Sequence, residues 1–304
     1  MSEIKNRSEI IFMYDIKDAN PNGDPLDENK PRIDEDTMTN LVTDVRLKRT
    51  IRDYLSDFKG ENIFIKETRN EKTELKTKDE RLSDLKIKSA DELIQNCVDI
   101  RLFGATTAIK KNTIIFTGPV QFRIGRSLHP VQLKFIKGTT VMPSEKGKKQ
   151  GTFTEQYVLP YSLINFYGII NENAAKTTKM TEKDAELLLD GMWNGTKNLI
   201  SRTKVGQVPR FLLKVNYKED NYHIGDISNM IKAKSEKPLD EVRDISDLKL
   251  EISELAEILH ANKDKIRDIE YQVDSRVILT ENKEVVNLPE VIKKSGIKSL
   301  ELSL

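Results

Sequence analysis

The chain has 304 residues, 37% hydrophobic and 33% charged, enough to bury a large core beneath a very polar surface; no apolar run is long enough to span a bilayer, and the opening Met1-Ser2-Glu3-Ile4-Lys5 lacks a signal-peptide core, so a cytoplasmic protein with no membrane partner is expected. Its one cysteine, Cys97, excludes an internal disulfide framework and a thiolate zinc site, leaving a buried inert thiol as the expected role. The net charge of +1 hides a split: residues 101–218 carry 19 Lys/Arg against 7 Asp/Glu, the two flanks together 31 against 42, a pattern that favours a polyanion on one surface over lysine faces merely solvated.

In chain order, residues 9–16 are apolar and β-prone and predict a buried strand. A loop rich in Pro, Gly, Asp and Asn follows over 18–36, and Thr37 or Thr39 is the expected cap of a helix running to Phe58. Leu47, Ile51, Tyr54, Leu55 and Phe58 share one face of that helix. Residues 59–100 are highly charged with weak periodicity and read as an insertion. Strand is predicted at 113–116 and 120–124, interrupted at Gly118-Pro119, and again at 157–170 with a break at Pro160. Thr181-Glu182-Lys183-Asp184 resembles a capping box, and the helix behind it puts Ala185, Leu188, Leu189, Met192 and Trp193 on one stripe. Residues 211–215 predict a last strand. Strand, helix, strand, strand, helix, strand is the ferredoxin-like order of RNA-recognition-motif domains. Beyond Glu219 lies an acidic extension with one amphipathic helix, 246–263, using Leu248, Ile252, Leu255 and Leu259.

Catalytic motifs fail one by one. The loop from Asp18 through Asn20, Asn22 and Asp24 opens like a calcium-binding loop, but Asn29 stands where the last carboxylate belongs and a strand precedes it; Asn22-Gly23-Asp24-Pro25 reads as a tight turn. Asp15, Asp18, Asp24, Asp27, Asp34 and Asp36 are too loosely spaced for a magnesium site and have no histidine nearby, so turn-forming or solvated carboxylates are preferred. His129, His223 and His260 are scattered. No catalytic residue, metal site or cofactor is assigned.

Basic segments are more informative. Lys48 and Arg52 stand one turn apart beside the apolar face of the first helix, where they could hold successive phosphates or form a solvated face. Residues 201–210 carry Arg202, Lys204 and Arg210 around Gly206 with no acid, which suits phosphate contact. Residues 126–151 hold Lys134, Lys137, Lys146, Lys148 and Lys149 around Phe135, Val141 and Met142. A basic hairpin embracing a nucleic-acid strand and a disordered surface loop both fit this stretch. The aromatic signature of RNA-recognition motifs is missing, so contacts to the nucleic-acid backbone, indifferent to sequence, should dominate.

Several segments together resemble a known family. They are Arg7-Ser8-Glu9-Ile10-Ile11-Phe12-Met13-Tyr14-Asp15 leading to Asn20-Pro21-Asn22-Gly23-Asp24-Pro25; Val42-Thr43-Asp44-Val45-Arg46-Leu47-Lys48-Arg49-Thr50-Ile51-Arg52-Asp53; Asp99-Ile100-Arg101-Leu102-Phe103-Gly104; Thr117-Gly118-Pro119-Val120-Gln121-Phe122; and Gly151-Thr152-Phe153. In order and spacing they resemble the backbone subunits of type I CRISPR Cascade complexes, the seventh CRISPR-associated family, with subtype I-B nearest and the I-C branch also near. The resemblance spans about two-thirds of the chain, from Arg7 to Val215.

It implies an α+β fold: a modified ferredoxin-like, RRM-like palm (1–58, 113–126 and 157–218), a fingers insertion (59–112), a basic thumb hairpin (127–156) and a C-terminal extension (219–304) that completes the palm and makes subunit contacts. It implies a non-catalytic subunit stacked head to tail on CRISPR RNA. The partners would be further copies, other Cascade subunits and, through the guide, target DNA. The implied RNA contacts are Lys48 and Arg52, with Arg46, Arg49 and Asn22 beside them; Arg202, Lys204, Gln207 and Arg210 in the glycine loop; and Arg126, His129 and Lys134 at the thumb, with Phe135 or Met142 as its wedge. Two rivals remain: a metal-dependent RNase, with Asp34 the first residue to test, and a monomeric RNA-binding regulator.

Overall fold

Strand β1 (Ser8–Ala19) is buried along most of its length. Its side chains alternate into two different cores, Ile10, Phe12, Tyr14 and Ile16 on one face and Ile11 and Met13 on the other, which is why the sequence shows a continuous apolar run. The computed structural model describes residues 2–109, 112–139 and 153–304.

The expected loop is partly ordered as strand. β2 (Gly23–Asp24) pairs with β3 (Lys30–Pro31), and β4 (Ile33–Asp34) pairs with β5 (Thr39–Val42). Helix α1 (Asp44–Lys59) therefore begins later than predicted. Thr43 is its cap, its side chain accepting from Arg46 N, because Thr39 is already committed to a strand.

Three short helices follow: α2 (Lys78–Asp84), α3 (Ala90–Asn96) and α4 (Val98–Phe103). A hairpin of β6 (Gly104–Ile109) and β7 (Asn112–Thr117) completes this region. It closes around a small core of its own that includes Phe64, Leu82, Leu93, Cys97 and Ile100. Elements this short carry no sustained amphipathic period, hence the weak sequence signal. Residues 113–117, predicted to be palm, pair with the insertion's β6 instead.

Next come β8 (Val120–Phe122), β9 (Gly125–Pro130), β10 (Lys134–Thr139) and β11 (Phe153–Ile170). β11 runs straight through Pro160, where a break was expected. Opposite it, Asp18 adopts a left-handed backbone with φ 47°, and the ladder passes from Lys17↔Tyr161 to Ala19↔Leu159 without that pair. The missing N–H of proline is therefore not required. After α5 (Glu172–Thr178), helix α6 (Glu182–Lys197) starts with the predicted capping box of Thr181 and Asp184. Its predicted stripe is buried. Gly191 and Gly195 let α1 approach: a Cβ there would lie 2.9 Å from Ile51 Cγ2 and 3.0 Å from Tyr54 Cβ. Strand β12 (Val208–Tyr217) follows.

The C-terminal part contains β13 (Lys232–Lys234), β14 (Lys249–Glu251), α7 (Ser253–Ala261), β15 (Ile266–Val273), β16 (Ile278–Glu281), β17 (Glu284–Val286), α8 (Leu288–Lys294) and β18 (Ser299–Glu301). The helix predicted from 246 begins only at Ser253. Leu248, Leu250 and Ile252 alternate with period two and all are buried, so that stretch is extended.

The main sheet runs β18-β15-β12-β1-β11-β9-β5-β4, with β8 and β10 also paired to β11. Helices α1 and α6 cover one face over the first core, and the C-terminal elements cover the other over the second. Buried Glu9 pins that second layer: its carboxylate accepts from the hydroxyls of Tyr167 and Tyr217 and from the backbone N–H groups of Ile224 and Gly225. With both faces of its central strands covered, the sheet offers no platform on which bases could stack. No helix of the described residues is long and apolar enough to cross a membrane.

Candidate nucleic-acid interface

The end of β1, the first turns of α1 and the loop before β12 converge at one end of the sheet. Asn20 N donates to Thr203 O at 2.8 Å, joining β1 to the glycine loop. Asn22 Oδ1 accepts from both Thr43 N (2.8 Å) and Thr43 Oγ1 (2.9 Å), fixing the start of α1 beside it. The β2–β3 hairpin joins the same cluster, because Asn20 Nδ2 donates to Asn29 O at 2.7 Å. Tyr157, at the base of the β10–β11 ribbon, donates to Glu28 at 2.9 Å and lies under the Lys30 ammonium.

Arg46 and Lys204 both stand half-buried in this cluster, and the Arg46 charge acts on Lys204. Burial holds the Arg46 guanidinium below its ordinary pKa, and burial together with the Arg46 charge does the same to Lys204. Arg46 donates to Thr50 Oγ1 at 2.9 Å, while its Nε has no partner. Asp53, whose charge Arg46 feels, pairs with Arg49 at 3.5 Å instead. Among the described residues neither cation has an ion-pair partner. Two further buried polar atoms here are unpartnered, Asn20 Oδ1 and Gln207 Nε2. Desolvated like charges with no counter-ion are costly in an isolated protein, and an anionic ligand removes that cost. Arg202 stands exposed on the same loop.

Other predicted contacts already have partners within the chain. Lys48 bonds Asp44 and Gln121, each at 3.1 Å. Arg52 lies 3.2 Å from Asp99 with its guanidinium 4.8 Å from the Phe103 ring. Asp99 is wholly buried and also accepts from Phe64 N and Ile65 N, so the Arg52 pair staples α1 to the insertion. Bordering the apolar face is what turns Lys48 and Arg52 inward. Arg210 is 4% exposed and bonds both Asp15 (2.8 Å) and Asp274 (2.6 Å); it is an interior ion pair, not a phosphate contact. Arg126 bonds Asp34 at 2.8 Å and holds that carboxyl below the usual carboxylate range. Among the described residues no three His, Cys, Asp or Glu side chains gather as a metal cage.

His129 also needs correction. It is 2% exposed, stacks on Tyr161, and uses both ring nitrogens: Nδ1 faces Pro130 O at 2.8 Å and Nε2 accepts from Leu163 N at 3.2 Å. It is a neutral internal brace out of reach of RNA. His129→Ala should lower stability by about 1–3 kcal/mol in urea titrations and leave RNA affinity of the folded protein unchanged. Burial depresses the folded-state pKa, so the brace contributes fully above the unfolded value and is lost as pH falls from there through the lower folded value. The variant should lack that acid-side decline.

The ribbon differs from the rest of the sheet. Lys134, Phe135, Ile136 and Lys137 of β10 are all exposed. Phe135 packs 4.8 Å from Tyr157 with the Lys137 ammonium 5.3 Å from its ring, and stays 43% exposed. An open aromatic pair flanked by cations suits contact with unstacked bases. Met142 and the rest of the predicted tip, 143–151, lie outside the described residues. Asn20 and Thr43, which order the cluster, were not singled out as site residues from sequence. The only hint was the dense Asn20-Pro21-Asn22-Gly23 turn chemistry.

Known proteins match most of the chain. The family model described as CRISPR-associated protein Cas7 matches residues 6–253. A CRISPR-associated protein Cas7 of Haloferax volcanii is 31% identical over 317 aligned residues, covering 94% of this chain and 92% of that one. Among solved structures, a chain of a CRISPR RNA-guided surveillance complex, pre-nicking, superposes with a TM-score of 0.54 at 9% identity, covering 95% of this chain and 99% of that chain. A chain of a second CRISPR RNA-guided surveillance complex gives 0.51 at 14% identity, over 95% and 97%. The structural likenesses concern the fold; the family model and the Haloferax relative, which together take in the cluster around Arg46 and the glycine loop, place this chain in the CRISPR-associated protein Cas7 family.

Proposed function

We propose that the protein is a non-catalytic backbone subunit of a type I, subtype I-B-like surveillance complex. It binds CRISPR RNA through the RNA's own backbone, stacks head to tail with further copies, and leaves the guide's bases free to pair with target DNA. The observation that carries this reading is the cluster at the end of β1, where half-buried Arg46 and Lys204 have no bonded carboxylate among the described residues and Arg46 Nε, Asn20 Oδ1 and Gln207 Nε2 are left without partners. A phosphate of an RNA strand supplies the counter-charge. The closed sheet faces fit the same reading, because they leave phosphate contact and the protruding ribbon as the means of holding RNA.

The strand order β12-β1-β11 with β8 and β9 beyond, and α1 and α6 on one face, supports a ferredoxin-like palm. The insertion with its own core serves as fingers, and the exposed ribbon, 134–139 against 153–158, as the arms of the thumb. A cytoplasmic location follows from the ligand. Purification from cells expressing CRISPR transcripts of two lengths tests the proposal. Particle mass should rise stepwise with RNA length, and RNA should be protected inside. A single copy at fixed stoichiometry on both RNAs would overturn stacking and return the protein to the monomeric regulator.

A further inference from the structure

Leu26, at the tip of the β2–β3 hairpin, is 95% exposed, yet the turn that carries it is tightly ordered. Leu26 N donates to Asp24 Oδ1 at 3.0 Å. Asp27 N and Asn29 N both donate to Asp24 O, and Lys30 Nζ lies 2.7 Å from Asp27 Oδ1. A preorganised apolar knob loses little further freedom on docking. Asp27 and Glu28 flank it with side chains 61% and 68% exposed. Lys30 lies between them at 2.7 and 3.5 Å, and two carboxylates against one ammonium leave the tip net acidic, so the chemistry that suits it is an apolar pocket with a basic rim.

The same chain presents such a pocket. Between α1 and residues 64–81 lies an open groove of about 740 Å³; five of its seven lining cations are ion-paired, Arg49 with Asp53, Arg52 with Asp99, Lys66 with Asp57, Arg69 with Glu67 and Lys76 with Asp84, which leaves Lys78 and Arg81 as its free charge among the described residues. Val45, Ile65 and Leu75 line it and are 65%, 39% and 61% exposed. Lys78 and Arg81 donate to backbone carbonyls, of Thr106 and Ile63, which leaves their charge without a carboxylate. Knob and groove are both open on one molecule, so a second copy is the occupant they fit. The contact is heterologous and repeats without closing.

We infer that Leu26 of one copy seats in the α1 groove of the next, with Asp27 and Glu28 against the Lys78–Arg81 rim. The contact rests on the stacked-subunit reading and gives it a specific joint.

Copies bearing Leu26→Cys and copies bearing Leu75→Cys are mixed on a long guide RNA and oxidised; buried Cys97 does not compete. Disulfide-linked pairs should form in the mixture, and in neither variant alone. Leu26→Asp, at a site with no packing to lose, should bind a short RNA as the wild type does but need at least tenfold more protein to build long particles. If Leu26→Asp builds long particles normally and no cross-link forms, the joint is overturned while the filament stands. If the wild type builds no particle, the stacking reading falls and takes the joint with it. Protection of Leu75→Cys from maleimide by an RNA too short for two copies would assign the groove to RNA and overturn the joint.

Discussion

Replacing Arg46 and Lys204 together with alanine should weaken RNA binding by about 3 kcal/mol, roughly a hundredfold, whatever the RNA sequence. The plot of log affinity against log salt should become shallower by about 1.4, two phosphate contacts at ~0.7 each for single strands. The free protein should respond the other way. Both cations are desolvated and Lys204 feels the Arg46 charge, so removing them relieves an uncompensated repulsion. Urea titration of the RNA-free variant should therefore show equal or greater stability than the wild type, the trade expected where a binding site stores unfavourable charge. Lost stability with an unchanged salt slope would remove the pair from the RNA path. Arg202→Ala, on the exposed part of the same loop, should reduce the slope by about half as much.

Arg210→Ala should act oppositely, lowering stability by about 3–5 kcal/mol and leaving the salt slope of RNA binding unchanged. The two arginines come from equally basic sequence, but Arg210 is sealed between Asp15 and Asp274, while the acid nearest in effect to Arg46, Asp53, is bonded to Arg49 instead. Without Arg210 the Asp15 carboxylate loses the partner that offsets its burial. Burial already raises the Asp15 pKa in the folded protein. A carboxyl with a raised folded-state pKa favours the fold when protonated, so the variant's deficit should be largest above that pKa and shrink as pH falls through it. Chemical denaturation of wild type and variant across acidic to neutral pH measures the difference directly. A deficit independent of pH would mean that Asp15 does not carry the loss.

What the sequence determined by itself follows from local rules. The β1 run, the face of α1 except for Phe58, which is exposed in the last turn, the Thr181–Asp184 cap and the α6 stripe are written in consecutive residues and hold because each element's periodicity agrees with its burial. Resemblance across the segments from Arg7 onward pointed to the family that the comparisons show. The basic loop of 201–210 was also legible, because a run without acids is visible in composition.

Only the tertiary structure decided which cations are available. Charge in a sequence has no direction, and the partner that neutralises it is usually remote: Asp99 lies 47 residues from Arg52 and Asp15 lies 195 from Arg210. Lys48 and Arg52 were preferred for their spacing, yet that spacing aims them at Phe103 and the insertion. Arg46, two positions away from Lys48, is rotated to the other flank of α1, where its charge acts on Lys204, 158 residues further along the chain. The closing of both sheet faces was likewise invisible, since the alternating Leu248, Leu250 and Ile252 read as a helix until their burial showed strand. Local sequence sets which segments form helix or strand, whereas the binding surface is what remains after distant acids have claimed their cations.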